Sequence, residues 1–280
     1  MVERLKDAIA KARLRRADGL DTPASEGPPG ATPHAPRAEE TARVQRWSQL
    51  PIVSLDEEQL RRERIISYRK SDASYVTFDV LRTRLLKVMR DTGWKRIAVT
   101  SPTKGCGKTV ISTNLAFSFA RHEELRVMLF DLDLKAPRMA SVLGQREKRN
   151  AAWLLTGERA PEDHLIRVEE KLAVSLNTER VRDSAELIES SQTARTLEDI
   201  QERFRPDITI YDLPPMLVND DALAWMPNVD RALLVAAAGQ TRATQIDECE
   251  GLLTEYGNFL GVLLNKHVSQ PTDSYYYGYY

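Results

Sequence analysis

From residue 95 to residue 267, short apolar runs alternate with stretches of helical spacing. Residues 97–100, 126–130, 172–176, 207–211, 231–237 and 259–264 are the apolar runs, and they read as strands. Residues 110–120, 191–204 and 243–256 read as helices between them. Strands that are apolar throughout are buried on both faces. The pattern therefore predicts an α/β fold, a mostly parallel sheet with helices on both faces. On such a sheet ligands bind beyond the carboxyl ends of the strands.

Ahead of residue 95 the pattern is less regular. Residues 75–90 read as a helix with Val76, Val80, Leu81, Leu85 and Val88 toward a core, and 55–64 as a charged helix. Residues 1–17 form an amphipathic helix with Leu5, Ile9 and Ala12 on one face, made basic by Lys6, Lys11, Arg13, Arg15 and Arg16. Such a helix suits docking on a partner or an inner membrane surface, and equally a solvated end without a role. Residues 18–46, with Pro28-Pro29-Gly30, bury too little to order themselves and read as a disordered linker. The expected organisation is a basic helix at 1–17, the linker at 18–46, a helical lead-in at 47–94, the α/β domain at 95–267 and a tail at 268–280.

Composition narrows the class. Lys and Arg total 40 against 41 Asp and Glu, so a net charge of −1 gives no bulk attraction to nucleic acid. No apolar stretch approaches the ~20 residues of a spanning helix, and neither end has the apolar core of a signal peptide. The two cysteines, Cys106 and Cys249, suit a reducing cytosol and no disulfide framework or zinc site. A cytoplasmic protein is expected.

The candidate chemistry sits at the strand ends. After the first strand the chain runs Ser101-Pro102-Thr103-Lys104-Gly105-Cys106-Gly107-Lys108-Thr109-Val110 into a helix. Glycines at 105 and 107 let backbone N–H groups fold around phosphate oxygens, and the helix N-terminus adds its positive end. Lys108 would reach the outer phosphates and the Thr109 hydroxyl a Mg²⁺ ion. Residues 103–110 are thus the expected nucleotide-binding loop. Asp131 and Asp133 close the second strand, and Asp212 a later one before Pro214-Pro215. Aspartates released beside a phosphate loop are placed to hold Mg²⁺, directly or through water. Asp212 is expected to be linked to the metal. Asp131 is expected to accept a proton from an attacking hydroxyl, and Asp133 to assist the metal. Asp220 and Asp221 fit either an outer role at the metal or a helix cap. Asn265 ends the last strand, where its amide could pair with the edge of adenine. The chain closes with Tyr275, Tyr276, Tyr277, Tyr279 and Tyr280, which read as phosphate acceptors beside an ATP site.

The loop departs from the common pattern. Pro102 takes the place of its first glycine, and Thr103 stands where many ATPases of the deviant P-loop group carry a second lysine. With the tyrosine tail, the sequence resembles the bacterial tyrosine kinases of capsule and exopolysaccharide export. The resemblance rests on Leu81-Arg82-Thr83, the loop, the run from Asp131 to Pro137, Asp212 to Pro215, Asp221-Ala222, Gly239-Gln240-Thr241, Gly261 to Lys266 and the tail. It implies a P-loop NTPase fold, ATP and Mg²⁺ as cofactors, and a homo-oligomer in which one subunit phosphorylates the tail of its neighbour. It further implies an activating membrane polysaccharide co-polymerase as a separate chain, a tyrosine phosphatase as counterpart, and no nucleic-acid partner. The chain would then sit peripherally at the inner membrane. Family members place E-x-x-R-x-x-R before the first strand for ring assembly. Here those positions are Val76, Asp79 and Arg82, and only the last fits. A partitioning-type ATPase switch and an ATP-binding regulatory module share the fold and are the alternatives.

Overall fold

The computed structural model describes residues 35–69 and 75–268. The expected basic helix at 1–17 and the acceptor tyrosines 275–280 lie outside them, as do residues 18–34 of the expected linker. Two compact units divide the chain, residues 1–40 and 41–280. Everything below concerns the second.

Its centre is a seven-stranded sheet. In chain order the strands are β1 (Arg96–Thr100), β2 (Val127–Asp131), β3 (Ile166–Glu169), β4 (Leu172–Ser175), β5 (Ile208–Asp212), β6 (Arg231–Ala237) and β7 (Phe259–Asn265). Across the sheet they run β3-β4-β2-β5-β1-β6-β7. All neighbours are parallel except β3 and β4. Alternate residues feed the two cores, as period-2 geometry requires. Met128 and Phe130 pack into one, Val127 and Leu129 into the other.

Helices cover both faces. In chain order the helices are α1 (Ala35–Gln49), α2 (Glu57–Arg62), α3 (Tyr75–Thr92), α4 (Lys108–Ala120), α5 (Met139–Val142), α6 (Ala151–Leu155), α7 (Pro161–His164), α8 (Ser184–Glu189), α9 (Ser191–Phe204), α10 (Asp221–Ala224) and α11 (Ala243–Glu255). Helix α9 shows the clean amphipathic case: Ser190 caps it through Thr193 N, and Leu197, Ile200 and Phe204 are buried. Helix α4 is buried nearly all round, so its polar residues need partners. Asn114 takes the Ser67 N–H at 2.8 Å and donates to the Arg64 and Val110 carbonyls, which docks the lead-in onto the helix that starts at the loop.

The linker reading fails over residues 35–46, which belong to α1. Composition predicts disorder there, but distant anchors supply what the local sequence lacks. Trp47 is 2 % exposed and its indole N–H donates to the Phe204 carbonyl at 2.8 Å. Arg43 pairs with Asp207 at 2.6 Å, and Arg46 reaches the Arg203 carbonyl. The charged helix is also shorter than expected, because Asp56 accepts from Glu58 N and Gln59 N and so begins α2 at Glu57. On α3 only part of the expected core face is buried. Leu85 and Met89 are enclosed, whereas Val76, Val80 and Val88 are exposed on the far side. Strand β3 was not foreseen: Arg167 and Glu169 interrupt its apolar run, which shows only as alternation over four residues.

Candidate active site

The loop between β1 and α4 needs its glycines for their backbone. Gly105 has φ +82° and Gly107 φ +93°, a region that L side chains seldom enter. Gly107 meets a second constraint, since a Cβ there would stand 2.3 Å from the Asn265 amide nitrogen. That nitrogen donates to the Cys106 carbonyl at 2.8 Å, while the Asn265 side-chain oxygen accepts from Lys266 N. Asn265 thus braces the loop from the end of β7, with both ends of its amide engaged. Sequence reading had it open toward a base edge. Cys106 lies under the loop, 3.7 Å from the Thr103 hydroxyl and 3.6 Å from that of Thr241. Burial pushes its thiol up, but those hydroxyls outweigh burial and leave it below the ordinary thiol value. Lys104 is exposed on the rim, and Val110 half-buried in the first turn of α4.

The three aspartates converge on the loop. In the β2–β5 ladder Asp131 stands directly beside Asp212, so one register fixes both carboxylates at the same level. Lys108 donates to Asp133 at 2.7 Å, and the Ala136 N–H takes the other Asp133 oxygen. One oxygen of Asp131 accepts from Arg138 N and Met139 N. The other, and both oxygens of Asp212, are buried without a hydrogen-bond partner. Burial, joined by the charge of Asp212, holds Asp131 well above the usual carboxylate range. Burial also raises Asp212, against the pull of Lys108 and of the Thr109 and Ser112 hydroxyls. Lys108 itself would be lowered by burial, but the carboxylates of Asp212 and Asp133 outweigh that and raise it.

Three carboxylates around one ammonium leave an excess of buried negative charge. Such groups in native proteins are ordinarily paired or hold a metal. Among the described residues no group of three or more His, Cys, Asp or Glu side chains has metal-ligand spacing. A cation here would rest on Thr109 and Asp212, with phosphate oxygens supplying the remainder, which is how Mg²⁺ is commonly held. The residues fit a Mg²⁺-bound nucleotide.

Sequence reading missed the support around these groups. Asp221 is buried and does not cap α10 with its side chain; Lys135 holds one of its oxygens at 2.8 Å and Ser184 the other at 2.6 Å. This ties the loops after β2 and β5 together. Thr100 donates to the Pro214 carbonyl at 2.7 Å and fixes the segment after Asp212. These contacts join distant parts of the chain and leave no local spacing to read.

Residues 97–276 match the CobQ/CobB/MinD/ParA nucleotide-binding domain. The chain is 31 % identical over 176 residues to the tyrosine-protein kinase CpsD of Streptococcus pneumoniae serotype 4, covering 61 % of this chain and 76 % of CpsD. It is 27 % identical over 204 residues to the tyrosine-protein kinase YwqD of Bacillus subtilis, covering 72 % and 85 % of the two chains. The solved kinase domain of the Escherichia coli tyrosine kinase ETK superposes with a TM-score of 0.66 at 25 % identity, over 77 % of this chain and 84 % of that one. Fold and loop define a nucleotide-binding P-loop domain of the CobQ/CobB/MinD/ParA family, and within it the chain belongs to the bacterial tyrosine-protein kinases. Among the described residues no helix is long and apolar enough to cross a membrane.

Proposed function

We propose that this chain is an ATP-dependent protein-tyrosine kinase whose acceptors are Tyr275, Tyr276, Tyr277, Tyr279 and Tyr280 of another copy. The observation that carries the reading is the Asp131–Asp212 pair beside Lys108, with three of its four carboxylate oxygens buried and unpartnered. The named relatives, all tyrosine-protein kinases, support the same reaction.

Phosphoryl transfer asks for positioning and charge stabilisation more than covalent chemistry. Backbone N–H groups of residues 103–110 cradle the phosphates. Lys108 turns from Asp133 to the transferred group, which competes for the same ammonium. Thr109 and Asp212 hold Mg²⁺, with Asp133 and Asp131 completing the acidic shell. When bound, the ion offsets charge on the phosphates. Asp131 orients the acceptor phenol, whose ordinary pKa is about 10, and takes its proton. Its elevated basicity suits that task. Asn265 keeps the loop closed at the end where the base would lie. Activation by a separate membrane polysaccharide co-polymerase, reversal by a tyrosine phosphatase and control of capsule or exopolysaccharide export complete the reading.

Intact mass spectrometry before and after incubation with Mg-ATP tests it. Phosphate should accumulate on residues 275–280 and fall by about a hundredfold or more in Lys108→Met. Equal labelling of that variant would refute the loop assignment. Phosphate mapped chiefly to Tyr68 or Tyr75 would refute the acceptor assignment.

A further inference from the structure

A groove of about 520 Å³ opens beside the loop that follows β2. Gln59, Pro137, Ser141, Arg146, Asn177 and Thr178 are among the residues that line it. Pro137 and Ser141 flank Met139, whose N–H holds Asp131, so one wall of the groove is continuous with the candidate base. Two polar groups in this wall have no use within the chain. Asn177 is 1 % exposed; its side-chain oxygen accepts from Ala151 N, but its amide nitrogen has no partner. Arg146 is exposed and makes no side-chain hydrogen bond or ion pair among the described residues. Acids close to it in sequence or on the adjoining strand end are taken: Glu147 by Arg149 and Glu179 by Lys148. Asp56, also in the lining, is occupied capping α2.

The place of the groove in the sheet suggests its occupant. The loop follows β1, Asn265 ends β7, and Lys108 points across to Asp133 after β2. A nucleotide along that line has its outer phosphate toward β2, and an in-line acceptor arrives from beyond it, on the β4 side. The groove lies there, between the ends of β2 and β4. Two positions before the first acceptor, Tyr275, the sequence carries Asp273, an acid that complements Arg146. The chain's own Asp273 is five residues past Val268 and reaches at most ~18 Å from it. From β7 to β4 there are five strand spacings, roughly 24 Å.

We propose that this groove docks the C-terminal segment of a second copy of the chain, with Arg146 pairing to Asp273 and the Asn177 amide donating to the incoming backbone, so that Tyr275 is presented to Asp131. The assignment rests on the kinase reading and adds the determinant that selects the acceptor.

The test is fluorescence anisotropy of a labelled synthetic peptide of residues 268–280, titrated with the full-length chain. Arg146→Glu, a surface change whose thermal melt should match the wild type, is expected to weaken binding about tenfold. A peptide carrying Asp273→Arg should regain that affinity on the Arg146→Glu chain. Unchanged affinity of Arg146→Glu, absent wild-type binding, or a charge-swapped peptide that regains nothing would each overturn the proposal. The kinase reading fails separately: peptide that binds the wild type in this Arg146-dependent way but gains no phosphate with Mg-ATP would refute transfer and leave docking standing.

Discussion

Asp212 and His164 put opposite demands on pH. Both carboxylate oxygens of Asp212 are buried without partners, and burial raises its pKa. A carboxyl whose folded pKa exceeds its unfolded value costs stability as pH rises from that unfolded value through the folded one. The ligand-free chain therefore carries this cost at neutral pH, and Asp212→Asn should remove it. Urea denaturation at pH 7 without metal is expected to show a gain of about 1–2 kcal/mol, while phosphate transfer is lost. An Asp212→Asn chain less stable than wild type would mean that the carboxylate is structurally satisfied. His164 behaves in the reverse sense. Burial, joined by the charge of Arg149, lowers it to about 4, and it shares a 2.8 Å hydrogen bond with Ser175. Its unfolded value of about 6.5 lies higher, so stability is complete above that value and declines as pH falls toward 4. Between pH 7 and 4 the loss from this one group should approach roughly 3 kcal/mol. His164→Gln should flatten that part of the stability profile. A profile as steep as the wild type's would assign the acid sensitivity to other groups.

Helix α1 shows how an element can be built from contacts rather than propensity. Its sequence is polar enough to read as linker, yet Trp47 and Arg46 insert against the last turn of α9, about 157 residues away in sequence. Trp47→Ala removes a buried indole and its hydrogen bond. The expected cost is about 3–5 kcal/mol, read from the urea midpoint at unchanged slope. A loss below about 1 kcal/mol would return α1 to the status of a tether. The strands tell the opposite story. Apolar runs over 207–211, 231–237 and 259–264 match β5, β6 and β7 to within a residue, because parallel strands buried on both faces have nothing polar to interrupt them. Antiparallel β3 at the sheet edge is half polar and escaped notice. The site follows the same division. The loop and its aspartates are legible because strand ends fix them locally. The Lys135–Asp221–Ser184 contact and the Asn265 brace depend on which strands become neighbours, and no spacing encodes that. Helix α3 illustrates the limit from the other side. Helical period alone counts Val76, Val80 and Val88 with Leu85, and only packing against α4 decides which stripe faces inward.

At the scale of the whole molecule, the question is how copies come together and part. The positions where related kinases carry their assembly motif are spent inside this chain. Arg82 donates to the Ser118 carbonyl and to Asp79, and Asp79 also accepts from Ser118 and pairs with Arg121. These side chains bind α3 to α4, so assembly on the related pattern would first have to break an internal network. The tail and the site it enters are then left as the principal bond between copies. That bond is sensitive to its own product. Each phosphotyrosine adds roughly −1.5 to −2 charge, and five clustered in six positions would bring about −8 to −10 to the mouth of a site already holding Asp131, Asp133 and Asp212. Repulsion among the phosphates, and between them and those carboxylates, opposes re-entry of a modified tail. The oligomer should therefore be largest for unmodified chain and shift toward monomer as phosphate accumulates. Size-exclusion chromatography with light scattering, before and after Mg-ATP and again after phosphatase, reads this directly. Replacing the five tail tyrosines by Phe should hold the assembled form through the same incubation. Because Debye screening is ~10 Å at 0.1 M salt, added salt should partly restore assembly of the phosphorylated chain. An elution profile indifferent to phosphorylation would place the contact between copies elsewhere on the surface and separate assembly from catalysis.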